Sequence, residues 1–340
     1  MGLKKLNVAI IGLGVGERHL VGYISDKRCS VKKLCDFNQD KIKEVAKKYT
    51  EFEFTSNPSE ILNDPEIDVV SIASYDNFHA EQVIKAIKKG KHVFVEKPIC
   101  LHENELKNIV DALNANPKCK LSSNFILRNS PQFVEAKKYI EDSKFGNLYY
   151  LEGDYNYGRI NKLTQGWRGD IPFYSVMHGG GIHIIDLLLW MSRKRVIEVI
   201  GIGNKIVTTN TKYKFPDMVS SLLRFEDNII GKVSANFGSV TPHHHRVSVY
   251  GTHATFFNTY ESGIIYDERE NANKKIEFKH TFDNKKKSNT LKSFISSIIS
   301  NKPQKVKSKE VIDVMSISLA IEKSLHTKKW EKVKYFDIKI

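Results

Sequence analysis

A strand-like run, a glycine turn and a helical stretch open the chain in the order "LNVAIIGLGVGERHL", and an acidic residue, Asp36, closes the next apolar run, "VKKLCDF". Residues of these types at this spacing could hold a dinucleotide. Gly12 permits a tight turn, and Gly14 lets backbone approach a pyrophosphate. The N-terminus of the following helix offers free N–H groups and the positive end of its dipole. Asp36 stands at about the separation from the glycines at which a carboxylate accepts hydrogen bonds from an adenosine ribose diol. A glycine pattern alone is weak; strand, helix and acid in this order make a βαβ unit. The third glycine position of the usual fingerprint holds Glu17, which leaves close helix–strand packing to Gly16. Phe37 and Asn38 follow Asp36 and supply no cation, so the carboxylate should accept a free 2′-hydroxyl and repel a 2′-phosphate. NAD is therefore expected rather than NADP. Lys41 and Lys43 lie on the next helix, where lysines face solvent.

The elements that must position these residues change rhythm along the chain. Up to about Phe125, the runs "NVAIIG", "VKKLCD", "FEFTS", "IDVVSIAS", "KHVFVEK" and "KLSSNF" read as strands, separated by amphipathic helical stretches. Continuous apolar strands alternating with helices imply a parallel sheet covered on both faces. Gly90 caps the helix before "KHVFVEKP", and Pro98 ends that strand. After Gly146, runs such as "NLYYLEGDYNYG", "MVSSLLRFE", "IIGKVSANFGSV", "HRVSVYGT" and "KIEFKHTF" alternate apolar with polar residues. They imply an antiparallel sheet with a turn at Asp227–Asn228. The expected fold is α/β plus α+β, with a doubly wound parallel-sheet domain over 1–125 and an α+β domain with an open, mostly antiparallel sheet over 126–340. The helical stretches at about 289–325 are expected to pack back near the first domain.

Bulk properties fit a soluble enzyme. The 340 residues are 41% hydrophobic, enough for two cores, and no apolar run reaches the roughly 20 residues of a membrane span. No signal-peptide pattern precedes "NVAIIG". Cys29, Cys35, Cys100 and Cys119 show no metal-ligand spacing, which points to reduced thiols in a cytoplasm. The net charge of +14 comes from lysines spread along the chain, with one run at Lys285–Lys286–Lys287. No recognition helix or basic–aromatic stripe accompanies it, so a solvated lysine surface is expected and a nucleic-acid or membrane partner is not.

The segments "GLGVGERH", "ASYDNFH", "GKHVFVEKP", "WRGDIPFYSVMHGGGIHIIDLLLW" and "HRVSVYGT" resemble, in order and spacing, the landmarks of the glucose–fructose oxidoreductase/inositol dehydrogenase (Gfo/Idh/MocA) family. The resemblance implies an N-terminal Rossmann domain, a C-terminal open sheet, and NAD(P)-dependent hydride transfer at a hydroxyl of a sugar, nucleotide sugar or cyclitol. It assigns cofactor contacts to Gly12, Leu13, Gly14, Val15, Gly16 and Asp36, and to Ser74, Asp76, His79, Glu96 and Lys97 farther on. Oxidation of a secondary alcohol needs a base for the hydroxyl proton and a cation or donor for the developing alkoxide. Lys97, at the carboxyl edge of the sheet with Glu96 before it, and His183, on an apolar helix face, match the family's residues for these roles.

Two departures stand out. The family usually carries an aspartate four residues before this histidine, where the present chain has Gly179. Three readings stay open: His178 substitutes as a polar partner, Lys97 and His183 work alone, or hydride chemistry is lost. The common "TPNxxH" appears as Ser74–Tyr75–Asp76–Asn77–Phe78–His79, so the lining beside the nicotinamide ribose is expected to differ. For substrate, Tyr157, Arg168, His178, His183 and Lys97 are the candidates; aromatics suit a sugar face and Arg168 suits a phosphate or carboxylate. Tyr155, Trp167 and Tyr174 flank them. The triplet His243–His244–His245 is not expected to bind metal, because adjacent strand residues point to opposite faces. The alternatives to a dehydrogenase are an NAD-dependent glycosidase-type enzyme using transient oxidation and a catalytically silent sensor. A sheet face bearing Leu222, Val233, Ala235 and Phe237 is expected to pack against a second copy, giving a homodimer or homotetramer.

Overall fold

A computed structural model describes residues 5–271, 273–279 and 288–339. The chain divides into two compact units, one drawn from Met1–Asn124, Ser288–Asp313 and Phe336–Ile340, the other from Phe125–Lys287 and Val314–Tyr335.

The first unit is built on six strands: β1 (Leu6–Ile11), β2 (Cys29–Cys35), β3 (Glu53–Thr55), β4 (Val69–Ile72), β5 (His92–Val95) and β6 (Leu121–Ser123). They pair in parallel in the order β3-β2-β1-β4-β5-β6. Helices α1 (Gly16–Ile24), α2 (Gln39–Ala46), α3 (Pro58–Leu62), α4 (Asp76–Lys88) and α5 (Glu103–Ala115) connect them. All of β4 is buried, which is why the sequence shows an unbroken apolar run there. Strand order reverses between β1 and β4, and a doubly wound sheet binds ligands at the carboxyl ends of its strands beside such a switch. Ile10, Leu20, Tyr23, Leu34 and Phe94 form the core together with Leu291, Phe294 and Ile295 from the late helix Asn289–Ser300. Full burial of side chains of this size contributes about 1.5–3 kcal/mol each.

The second unit opens with α6 (Pro131–Glu141), then β7 (Leu148–Asn156), the short α7 (Asn161–Thr164), and a π turn at Met177–Gly181 running straight into α8 (Ile182–Ser192). Strands β8 (Val196–Asn204), β9 (Met218–Phe225), β10 (Ile230–Asn236), β11 (His244–Gly251), β12 (Thr255–Asn258), β13 (Ser262–Tyr266) and β14 (Ile276–Lys279) follow. The late helix Asn289–Ser300 is α9, then come α10 (Ser308–Thr327) and the two-residue β15 (Glu331–Lys332). The nine-stranded order is β14-β13-β12-β11-β7-β10-β9-β8-β15. All pairs are antiparallel except β7 with β10, which run parallel. Asp227 and Asn228 turn the chain between β9 and β10 at φ of 57° and 59°, a left-handed conformation that Asp and Asn tolerate. Helix α8 is apolar nearly all round because it lies against the sheet: a β-carbon at Gly153 would overlap Ile184. The last three residues of "KIEFKHTF" and the Lys285–Lys287 run lie outside the described residues.

One expectation is corrected here. Val233, Ala235 and Phe237 are buried in the core, whereas Leu222 pairs in register with Lys232 and is 47% exposed. Strand alternation puts Leu222 on the opposite side from Val233, so the four residues form no single open face. The side bearing Leu222 carries charge instead. Lys232 lies 2.8 Å from Asp154 and 3.4 Å from Glu152, and Arg246 lies 3.8 Å from each of the same two acids. No described helix is long and apolar enough to cross a membrane. All four cysteines are buried free thiols.

Candidate active site

In the first unit, the sequence around Gly12 folds as a dinucleotide loop for identifiable steric reasons. Gly12 sits at φ +88°, and a β-carbon there would overlap the Ala73 carbonyl oxygen, so no other residue fits without strain. Around Gly14 a β-carbon would meet nothing within 4 Å, which leaves backbone open to a ligand. Gly16 is the close-packing glycine: its β-carbon position is 3.0 Å from Ile10 Cγ2 and 3.4 Å from the Ala73 β-carbon. Glu17 instead reaches Lys41 at 3.3 Å and Lys48 at 2.9 Å. Lys41 is thereby tied to Glu17 and Glu44, and Lys43 to Asp40.

Asp36 is buried, and its two carboxylate oxygens accept from the Leu13 amide at 2.7 Å and the Asn38 amide at 2.9 Å. The acid at the end of β2 therefore fixes the glycine loop, and each oxygen keeps a further lone pair. Phe37, 61% exposed, meets Tyr75 edge to face at 5.2 Å.

At the end of β5, Glu96 accepts from Asn124 Nδ2 at 2.7 Å and contacts His19 Nε2 at 3.1 Å. His19 Nδ1 lies 2.9 Å from Ser71 Oγ. Burial would raise the Glu96 pKa, but the His19 hydrogen bond, the charges of His19 and Lys97, and Asn124 outweigh it and hold the carboxyl down at about 2. A fixed negative charge therefore precedes Lys97, whose bond to Pro98 is cis. His19 was not singled out in the sequence, although its place three residues after Gly16 puts it on the buried face of α1.

His79 is fully buried, with Nδ1 2.6 Å from the Pro98 carbonyl and Nε2 3.0 Å from the Ser74 carbonyl. It clips the loop after β4 to the loop after β5. Ser74 Oγ donates to Gln82 Oε1 at 2.8 Å, and Asp76 is the first residue of α4, at the dipole end that favours an acid.

In the second unit, His183 is buried among rings. Tyr155 stacks on it at 6.1 Å, His245 meets it edge-on at 6.1 Å, and Phe125 does so at 6.5 Å. His243 lies 4.6 Å from His245 and 5.1 Å from both Tyr155 and Tyr157. His244 points the other way, onto Tyr260. Alternation thus splits the triplet as the sequence requires, and two of its members join His183. Burial first, then the neighbouring imidazoles, push the His245 pKa well below its ordinary value; burial and Arg159 bring His243 down to about 4. These are neutral imidazoles at physiological pH. No group of three or more His, Cys, Asp or Glu among the described residues could hold a metal ion.

His178 takes a different place. Its Nδ1 lies 2.7 Å from Ser318 Oγ on α10, and its ring meets Phe173. Ser175 Oγ accepts from the Met177 and His178 amides and donates to Glu322. Loss of hydration pushes Glu322 up to about 7 against that one hydrogen bond. Helix α10 therefore braces the π turn through Ser318 and Glu322. Asp186, one turn after His183, is fully buried and paired with Arg128 through bonds of 2.6, 3.0 and 3.1 Å. Arg168 stacks on Trp167 at 4.5 Å and donates to the Tyr174 hydroxyl at 3.1 Å.

The strand order and glycine turn of the first unit are those of a dinucleotide-binding domain. A family model described as an oxidoreductase family with NAD-binding Rossmann fold matches residues 6–125, and that of the GFO/IDH/MocA C-terminal domain matches residues 133–257. The chain belongs to the Gfo/Idh/MocA family of oxidoreductases. Myo-inositol 2-dehydrogenase of Thermotoga maritima is 23% identical, with 96% of this chain and 98% of that protein aligned. The scyllo-inositol 2-dehydrogenase (NAD(+)) of Bacillus subtilis is 26% identical over 74% of this chain and 73% of its own. Among solved structures, a levoglucosan dehydrogenase in complex with NADH superposes with a TM-score of 0.87 at 21% identity, covering 98% of this chain and 100% of that one. At that identity the likeness concerns the fold.

Proposed function

We propose that this chain is an NAD(H)-dependent dehydrogenase that moves a hydride between the nicotinamide cofactor and a secondary hydroxyl or ketone of a sugar, nucleotide sugar or cyclitol. The observation that carries this reading is the neutral ring cluster around His183: an imidazole able to accept a hydroxyl proton, walled by aromatic faces of the kind that pack on sugar rings. The named dehydrogenases among the relatives support the same substrate class.

The glycine loop and Asp36 fit the cofactor, since Gly14 leaves room for phosphates and Asp36 keeps lone pairs for a diol. Bound NAD supplies the hydride acceptor. Lys97, backed by the ionised Glu96, holds the substrate oxygen and stabilises negative charge developing there. His183 takes the hydroxyl proton. Tyr157 and Arg168 belong to the substrate side; His178 acts there through the π turn it anchors. In this reading residues 1–125 serve the cofactor and 126–340 the substrate and assembly. A cytoplasmic homodimer or homotetramer fits the buried thiols and the charged, tyrosine-flanked outer sheet face, where Tyr150 and Tyr250 lie 5.4 Å apart.

The test is stoichiometry. One NADH should form per polyol molecule consumed, over a panel of inositols, anhydrosugars and nucleotide sugars; consumption without net NADH would move the assignment to transient oxidation. Cofactor choice follows from Asp36. NAD should bind on the order of a hundredfold more tightly than NADP, a few kcal/mol of carboxylate–phosphate repulsion. Asp36→Asn, which keeps an acceptor for the Leu13 amide, should narrow that ratio in a titration of both cofactors. Equal discrimination in the variant would show that the carboxylate does not meet the ribose.

A further inference from the structure

Gly179 is where a side chain one turn before His183 would project, and the structure shows what fills the space. A β-carbon at 179 would overlap the hydroxyl oxygen of Tyr174. The neighbouring glycines are held as closely: at Gly180 a β-carbon would run into the Tyr155 ring, and at Gly181 into Met177. Tyr174 is 1% exposed, packed at 6.2–6.3 Å against Trp167, Tyr213 and Phe237. Its hydroxyl accepts from Arg168 Nε, and Arg168 is itself fixed on the Trp167 ring. Tyr155 links this pair to His183. It stacks on the imidazole, crosses Gly180, and feels the charges of both Tyr174 and Arg168.

We propose that Tyr174, clamped by Arg168, is a positioning residue that takes the place of a side chain at 179, setting His183 beside a neutral hydroxyl and a cation instead of a carboxylate. The proposal rests on His183 being the proton acceptor. Position 179 lies in the π turn that runs straight into α8, four residues and about one turn before His183, so what occupies it lies on the His183 side of that turn. A carboxylate there would favour the imidazolium, whereas a phenol held by a guanidinium favours the neutral ring. Of the rings packed against His183, Tyr155 is a phenol, Phe125 is apolar and His245 is a neutral imidazole, and the Asp186 charge one turn on is matched by Arg128. Arg168 is thereby assigned to the phenol first and to an anionic substrate group only through it.

The test titrates the His183 imidazole by NMR in the full-length chain, with the resonance assigned through His183→Gln. It needs no substrate, so its outcome is independent of whether the hydride reaction itself has been assigned correctly; loss of turnover in His183→Gln addresses that separately. Tyr174→Phe keeps the ring and removes the acceptor that anchors Arg168, and the His183 midpoint should rise by about half a pH unit with the melting temperature little changed. Tyr174→Ala with Gly179→Asp opens the space and puts a carboxylate in it, and the midpoint should rise by about one unit or more. Gly179→Asp alone should destabilise the protein through the clash. A folded Tyr174→Phe protein with an unmoved His183 midpoint would reduce Tyr174 to a packing residue. A Tyr174→Ala/Gly179→Asp protein that folds without raising the midpoint would show that position 179 does not face His183.

Discussion

Two enclosed glutamates, one in each unit, are treated in opposite ways. Glu96 has His19, Asn124 and the charge of Lys97 around it and is held ionised, down to about 2. Glu322 has the hydroxyl of Ser175, and burial drives it up to about 7. The same side chain becomes a fixed anion beside Lys97 and a half-neutralised brace under the π turn that leads into α8. The difference teaches how labour is divided. The first unit spends its buried polarity on charge, at the end of β5 and in the Asp36 clamp on the glycine loop. The second surrounds His183 with rings and neutral imidazoles, and at Arg128 and Asp186 it buries two ions that cancel.

That pair gives the largest expected effect. Asp186→Ala leaves Arg128 buried and unpaired and should lower unfolding stability by about 3–5 kcal/mol in urea denaturation. A loss below about 1 kcal/mol would mean the pair is hydrated and the second unit is less dry than its ring packing implies. Next come the two glutamates, whose pH dependences must have opposite sign. Glu96 is lowered on folding, so its contribution is present above about 4.5 and lost as pH falls through about 2. Glu322 is raised, so its contribution is full below about 4.5 and lost as pH rises to about 7. Glu96→Gln should flatten the acid limb of the stability profile and Glu322→Gln the limb between pH 4.5 and 7, each by on the order of 3 kcal/mol at most. Slopes of the same sign in both variants would end the comparison. The smallest effect contrasts two glycines of one loop. Gly12→Ala should destabilise the fold by about 1–3 kcal/mol through its positive φ and the Ala73 carbonyl. Gly14→Ala should leave melting unchanged and weaken NADH binding by roughly tenfold.

Much of the first unit was legible because its information is local. Continuous apolar strands, alternating helices, the Gly12 turn and Asp36 each declare themselves within a few residues, and Gly16 took the packing role that Glu17 could not. The second unit was legible as strands but not as pairings. Nothing local says that β10 runs parallel to β7, and the register that pairs Leu222 with Lys232 rather than with Val233 appears only in the folded β9–β10 pair. The split of the histidine triplet follows from strand alternation, yet only the fold shows that His243 and His245 share a side with His183. His19 lay inside a motif read for its glycines, and its partner Glu96 is 77 residues away. Tyr174 was noted for its ring, but its occupation of the Gly179 space depends on a π turn that no sequence period announces.

The central claim is that Lys97 and His183 carry hydride-transfer chemistry on a sugar-type hydroxyl. It is tested most directly by the initial rate of NADH formation from NAD with inositols and anhydrosugars, for wild type, Lys97→Ala and His183→Ala, with NADH affinity measured on each protein. The account predicts oxidation of at least one such polyol by the wild type, and turnover lowered by about a hundredfold or more in each variant while NADH still binds. Near-wild-type rates in both variants, or no oxidation of any polyol by a wild-type protein that binds NADH, would contradict it.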